Sequence, residues 1–290
     1  MYLNSCHFMR KLYLSAFIFS VLSFSTGALS QSLLWKISGR DMPDPSYLYG
    51  TIHLKDHRVF EWSDSIYTRI DKCQAYAGEI DLSAENLMKA ARNMVLPEGQ
   101  TLRDRFAPDE YQIIREAIKS CSGYELSLLD KLKPVSLIAL CFMQNQSADL
   151  EATVDELLYK RAVEGGKMTS GVETIEEQAA LMDKIPDSYV LSYFQNLDEQ
   201  KEELDKLLDC YRSADLQCLW KMMQEEESGS LLNEELIRVR NYRMTERIIP
   251  LITRQSTFIA LGSGHLPGEE GVIALLRKAG FIVEAERIIW

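Results

Sequence analysis

The spacing of apolar residues changes several times along the chain, and each change marks an element. Ser32 to Ser38 and Ser46 to Thr51 are short and apolar-rich, and they flank Gly39-Arg40-Asp41-Met42-Pro43-Asp44-Pro45, a density of turn formers that predicts a hairpin. Further strands are predicted at Ala75 to Leu82, Lys167 to Val172, Thr257 to Gly262 and Phe281 to Ile289. Between them the period is helical. From Asp149 to Glu164, the residues Leu150, Val154, Leu157, Leu158 and Ala162 share one helical face, and Gly165-Gly166 stops the run. A second helix opens at Thr174, which forms a capping box with Glu177. Ser188 to Leu251 carries Leu, Tyr, Ile and Met at helical spacing amid dense charge, which reads as two or three helices with Tyr189, Tyr193 and Phe194 on a core pattern. Pro267 at the start and Gly280 just past the end bracket a last helix. The fold class is α/β (α+β): a small central mixed sheet, built from N- and C-terminal strands and surrounded by helices.

The first thirty residues follow another pattern. Arg10 and Lys11 precede an apolar stretch from Leu12 to Phe24, and Ser25-Thr26-Gly27-Ala28-Leu29-Ser30 is small and polar. That is the layout of a signal peptide, with Ala28 and Ser30 at the small-residue positions before a cut. Residues 1–30 are therefore expected to be removed after Ser30, leaving 31–290 as one domain that is periplasmic or secreted. The apolar run of about 13 residues is shorter than the roughly 20 that span a bilayer, and no later stretch equals it, so no integral membrane segment is expected after cleavage.

Charge narrows the partners. The whole chain carries −11, and removing the leader takes away two cations and no acid. So acidic a surface repels phosphate backbones, which excludes nucleic acid as a partner. Five cysteines follow the leader: Cys73, Cys121, Cys141, Cys210 and Cys218. An odd number leaves at least one thiol unpaired. Cys210 and Cys218 are the nearest candidates for a disulfide in an oxidising compartment, and packing as small hydrophobes is the alternative.

Histidine is scarce: beyond the leader there are only His53, His57 and His265. Two of them repeat one context, Gly50-Thr51-Ile52-His53 and Gly262-Ser263-Gly264-His265, each at the carboxyl end of a predicted strand. Ligands of open α/β sheets bind at those ends, and glycine there permits positive φ or close backbone approach. Two other predicted strands end in acids. Glu79 lies in an apolar run, where a charge needs a partner or a metal, and strand alternation gives Asp81 the same facing. Glu173 precedes a helix start, where capping is its plainer role. Two imidazoles with one or two carboxylates can hold a catalytic divalent ion, and an oxygen and nitrogen shell suits Mn²⁺, Co²⁺ or Zn²⁺. In Arg238-Val239-Arg240-Asn241-Tyr242-Arg243-Met244, Arg240 and Arg243 share a helical face beside Asn241. Arg240 is a candidate for holding a substrate carboxylate or an oxyanion, and a solvated basic face is the alternative. His57 follows His53 by four residues without the glutamate a zincin helix needs, and reads as a surface residue.

These motifs resemble the TraB/GumN family, which includes the Tiki proteases. The resemblance runs from Leu34-Trp35-Lys36-Ile37 and the Gly50 to His53 segment through Glu79-Ile80-Asp81, Asp155-Glu156-Leu157-Leu158 and Gly171-Val172-Glu173-Thr174. It continues with Arg240-Asn241-Tyr242-Arg243-Met244 and closes at Gly262 to Gly268 and Gly280-Phe281. It implies a divalent-metal site of His53, His265 and Glu79, acting on a polypeptide. The expectation is therefore a metal-dependent hydrolase, a peptidase, with Glu173 or Asp81 as base or supporting group and Arg240 positioning substrate. The resemblance also leaves room for a non-catalytic metal- or haem-binding protein or an envelope accessory.

Overall fold

The computed structural model describes residues 32–61, 63–144, 149–225 and 234–286. The leader over residues 1–30, its cut after Ser30 and the expected end of the last strand at Ile289 lie outside them.

Strands β1 (Leu34–Ser38) and β2 (Ser46–Thr51) pair antiparallel as the predicted hairpin, with Trp35 opposite Leu48. Strands β3 (Ala75–Gly78), β4 (Met168–Gly171), β5 (Thr257–Gly262) and β6 (Ile282–Ala285) complete one mixed sheet of order β4-β3-β5-β2-β1-β6. The run β4, β3, β5, β2 is parallel, and β1 and β6 are antiparallel additions. The C-terminal strand β5 thus sits between two N-terminal ones, which closes the sheet from both ends of the chain. Every residue of β2 is buried, as is nearly all of β5, because strands covered on both faces are near-continuous apolar runs. The two half-motifs stand side by side on adjacent parallel strands, with Thr51 in register with Gly262.

Helix α1 (Ser63–Lys72) lies between β2 and β3, and α2 (Ala84–Asn93), α3 (Pro108–Ser122) and α4 (Pro134–Gln144) follow β3. Then come α5 (Val154–Glu164), α6 (Ile175–Met182), α7 (Asp187–Gln195), α8 (Leu197–Arg212), α9 (Leu216–Glu225), α10 (Arg240–Arg254) and α11 (Val272–Lys278). One core wraps the sheet, around Leu48, Tyr76, Phe258 and Ile259. A second, all-helical core joins α3, α4 and α7 through Ile114, Ile118, Leu137, Val190 and Phe194. Disulfides link Cys121 to Cys141 and Cys210 to Cys218, while Cys73 is a buried free thiol. Among the described residues no helix is long and apolar enough to cross a membrane.

Four boundaries differ from the sequence pattern for local reasons. The helix expected from Asp149 starts at Val154, since Thr153 accepts from the Glu156 amide while the Glu156 carboxylate accepts from the Thr153 amide at 2.8 Å. Strand β3 stops at Gly78 rather than Leu82, and the chain bends at Glu79. The middle section holds four α-helices in its described part, because the chain turns at Asn196 and again at Ser213-Ala214, where Ala214 has φ 52°. Pro267 lies in a turn ahead of α11, whose N-cap is Gly271; there the backbone folds back so tightly that a Cβ would meet the Leu266 and Pro267 carbonyls.

Candidate functional site

The four parallel strands end together, and each ends in glycine or one residue beyond it: Gly50-Thr51, Gly78, Gly171 and Gly262. Within three residues of each end stands one group with chemistry: His53, Glu79, Glu173 and His265. At Gly262 the glycine is needed for close approach and not for positive φ, since its φ is −50°. Its amide donates to Glu79 Oε1 at 2.6 Å, and a Cβ there would stand 2.9 Å from that oxygen.

Each motif histidine has one ring nitrogen fixed by an oxygen. His265 is buried, and its Nδ1 lies 2.6 Å from Asn241 Oδ1, while Asn241 Nδ2 donates to the Glu270 carbonyl at 2.9 Å. The carbonyl orients the amide, so Oδ1 faces the ring and Nδ1 must carry the proton; Nε2 is left with its lone pair. That nitrogen faces Glu79 Oε1 at 3.7 Å. Burial pushes His265 down to about 4, which keeps it neutral at neutral pH. His53 Nδ1 lies 2.7 Å from Asp155 Oδ2, which likewise leaves Nε2 as the outward nitrogen. The charge of Asp155 raises His53 to about 9, although 63% of its side chain is open to screening solvent.

The acids and Arg240 form one buried network. Arg240 Nε and NH2 grip Glu173 at 3.0 and 2.7 Å, and NH2 also donates to Glu79 Oε2 at 2.9 Å. Gln178 donates to both carboxylates, at 3.2 and 3.3 Å. Burial works to raise the Glu79 carboxyl, but the charges of His265 and Arg240 outweigh it and hold it at about 2. With His265 neutral near pH 7, Arg240 is the main cation that keeps Glu79 ionised there, with the charge of His53 beside it. Glu173 does not cap α6; Thr174 does so with Glu177, which leaves Glu173 for Arg240. Arg243 donates to Glu177 at 3.1 Å and stands 4.0 Å from Glu173.

The structure therefore gathers His53, Glu79, Glu173, Arg240, Asn241, Arg243 and His265 at one sheet edge. Asp81 follows the end of β3, where strand alternation no longer governs its facing, and its Oδ1 is buried without a hydrogen-bond partner. Donor atoms on one ion, each about 2.1 Å from it, lie within about 4.2 Å of each other. His265 Nε2 and Glu79 Oε1 meet that condition at 3.7 Å. His53 stands farther out, since among the described residues only Asp56, His57 and Asp149 bring three donors within 4.8 Å of one another. In that group, of which His57 and Asp149 are exposed and Asp56 buried, His57 already pairs with Asp149 and Asp56 with Arg58. Asp155 and Gln178 were absent from the sequence reading as site residues: Asp155 stood in a motif of the resemblance with no role attached, as a first-turn acid, and Gln178 is a polar residue on a helix face.

The profile of the TraB/PrgY/gumN family matches residues 33–285. Metalloprotease TIKI2 of Danio rerio is 24% identical over 87% of this chain and 60% of its own length. The Metalloprotease TIKI homolog of Nematostella vectensis is 23% identical over 87% of this chain and 66% of its own. For Metalloprotease TIKI1 of Homo sapiens the identity is 24%, over 87% and 61%. The chain thus spans about three fifths of the length of these curated relatives. No solved structure matches it. From Leu33 to Ala285, a stretch that includes both Gly-x-x-His motifs and the acids beside them, the chain belongs to the TraB/PrgY/gumN family.

Proposed function

We propose that this chain is an exported metal-dependent hydrolase, a peptidase, in which His265, Glu79 and His53 hold a divalent ion. The observation that carries the reading is the orientation of the two imidazoles: each has Nδ1 committed to an oxygen acceptor and Nε2 turned away from it, with a lone pair on His265 and with a proton on His53 that an ion would displace, beside a carboxylate kept ionised in a buried position. That is the arrangement in which histidines ligate metals. His265 and Glu79 are the anchored pair, and His53, exposed on the loop after β2, completes the set by a side-chain movement. Mn²⁺, Co²⁺ or Zn²⁺ bound there would supply Lewis acidity to a substrate carbonyl and an activated water.

The residues of the chain have distinct tasks in this reading. Asn241 and Asp155 orient the rings. Arg240 keeps Glu79 charged, and Glu173 with Gln178 keeps Arg240 in place. The curated relatives are named metalloproteases, which supports a polypeptide substrate, and the leader-like N-terminus supports export to the periplasm or medium.

Natively purified protein should contain about one divalent ion per chain, and its peptide cleavage should vanish on chelation. Cleavage should also vanish in His53→Ala and His265→Ala variants that keep their circular dichroism spectrum. Metal content unchanged in both variants, or cleavage indifferent to chelator, would sink the reading.

A further inference from the structure

Two cavities share one wall residue, Phe142, and border the site at two places. The first, of about 480 Å³, lies between α2, α4 and α6 and is lined by Ile80, Val135, Ile138, Ala139 and Ile175. It borders the acids through two of its lining residues. Ile80 follows Glu79 in the chain, and Gln178, on the same lining, donates to Glu79 and Glu173. The one charge in its lining is Lys133, whose ammonium is taken by Asp183. Met94 and Met182 stand on its wall 48% and 40% exposed.

The second cavity, of about 390 Å³, is of different character, with Tyr189, Tyr193, Glu203 and Lys206 in its lining. It reaches the other half of the site through Met223, whose Sδ would lie 2.5 Å from a Cβ on Gly264 in the second Gly-x-x-His motif. The two cavities thus flank the site, an apolar one on the Glu79 side and one of mixed lining on the Gly264 side.

We infer that the apolar cavity beside Glu79 receives an aliphatic or aromatic side chain of an extended polypeptide substrate, and that this side chain selects the bond to be cleaved. The inference rests on the hydrolase reading and deepens it by naming what the site accepts. Its size falls within the range of ligand pockets, and its lining offers no free charge to hold an acidic or basic side chain. Exposed methionines at such a wall adapt to side chains of differing shape, and they are apolar surface that a bound chain would cover. The second cavity, on the Gly264 side, gives an extended chain room to continue past the site, which a compact ligand would not need.

The probes are two fluorescein-labelled decapeptides of Gly and Ser, one with a central Leu-Phe and one with Ser-Ser in its place. Fluorescence anisotropy on the wild type should give at least about tenfold tighter binding of the Leu-Phe peptide, the scale on which an apolar pocket discriminates. The same preference is expected in His53→Ala/His265→Ala. Ala139→Trp and Ala179→Trp, which fill the cavity from facing helices, should each abolish it. Equal binding of the two peptides by the wild type, or no binding of either, overturns the inference without recourse to any variant. Cleavage of a mixed peptide library separates the two readings. Cutting with no apolar preference removes the cavity's role and keeps the hydrolase. Preferential binding without cutting keeps the cavity and removes the hydrolase.

Discussion

Asp155 accepts two hydrogen bonds of 2.7 Å, one from Thr51 Oγ1 and one from His53 Nδ1, so the first turn of α5 fixes the ring that follows β2. Replacing it with asparagine removes the charge that raises His53 to about 9. The ring's pKa in Asp155→Asn should fall back towards the ordinary 6.5, as read from its NMR titration. The sign for stability follows from a raised folded-state value: the pair helps the fold fully below about 6.5 and loses its effect as pH rises through about 9. Asp155→Ala should also weaken metal binding by about 10- to 100-fold, the usual effect of removing such a partner, measured by competitive titration against a chelating dye.

Arg240 should matter to stability more than any surface cation. Its partner Glu173 has a side chain with 0% exposure, so Arg240→Met strands one fully buried carboxylate and exposes Glu79 to burial without its cation. Removing one member of a buried pair costs about 3–5 kcal/mol, to be measured by urea denaturation. Arg240→Met/Glu173→Gln should recover part of the loss. A cost of the single variant below about 1 kcal/mol would mean that water reaches the network.

Acid should loosen the seam between α6 and α10. Hydrogen bonds from Arg247 to Glu177, at 2.7 and 2.8 Å, are the main cause of a Glu177 pKa lowered to about 2. A depressed carboxyl stabilises above its unfolded value, near 4.5, and the contribution is lost as pH falls towards 2. With Arg247 40% exposed, screening reduces the effect to about 1 kcal/mol. Glu177→Gln should lose that much at pH 7, and the gap to wild type should narrow steadily below pH 4.5.

Cys73 should resist alkylation until the protein unfolds. Burial pushes its thiol up to about 12, only 2% of the residue is exposed, and no thiolate forms near neutral pH. Iodoacetamide labelling followed by peptide mass spectrometry should find Cys73 unmodified in native protein and modified in urea. Rapid labelling of the native form would contradict that burial.

What could be read from the sequence was what repeats locally. Strand β5 lies where the pattern predicted because Thr257 to Gly262 is a short apolar run closed by glycine, and the hairpin turn announced itself through proline and glycine. Strand β3 was read too long because Ile80 and Leu82 continue the alternation, whereas the chain bends to send the Glu79 carboxylate to the Gly262 amide. That partner is distant in sequence, and no window around Glu79 contains it. The same holds for Asp155, an acid in a helix's first turn, where acids are common for dipole reasons alone. Glu173 and Arg240 were visible as residue types; that each occupies the other follows only from the packing of α10 over the end of β4. The site was therefore legible in its ligand candidates and illegible in the groups that hold them.

The placement of β5 has a bearing on how the polypeptide is made. Strands β2 and β3 emerge early from the ribosome, yet they do not touch each other; the strand that joins them is translated only after some two hundred further residues, and closing so long a loop is slow. Until it arrives the early half has two unsatisfied edges and neither of its catalytic candidates has its counterpart. A chain truncated before Thr257 should accordingly remain open to protease, and the full chain should not. Synthesis would thus complete the machinery and the fold in a single late event.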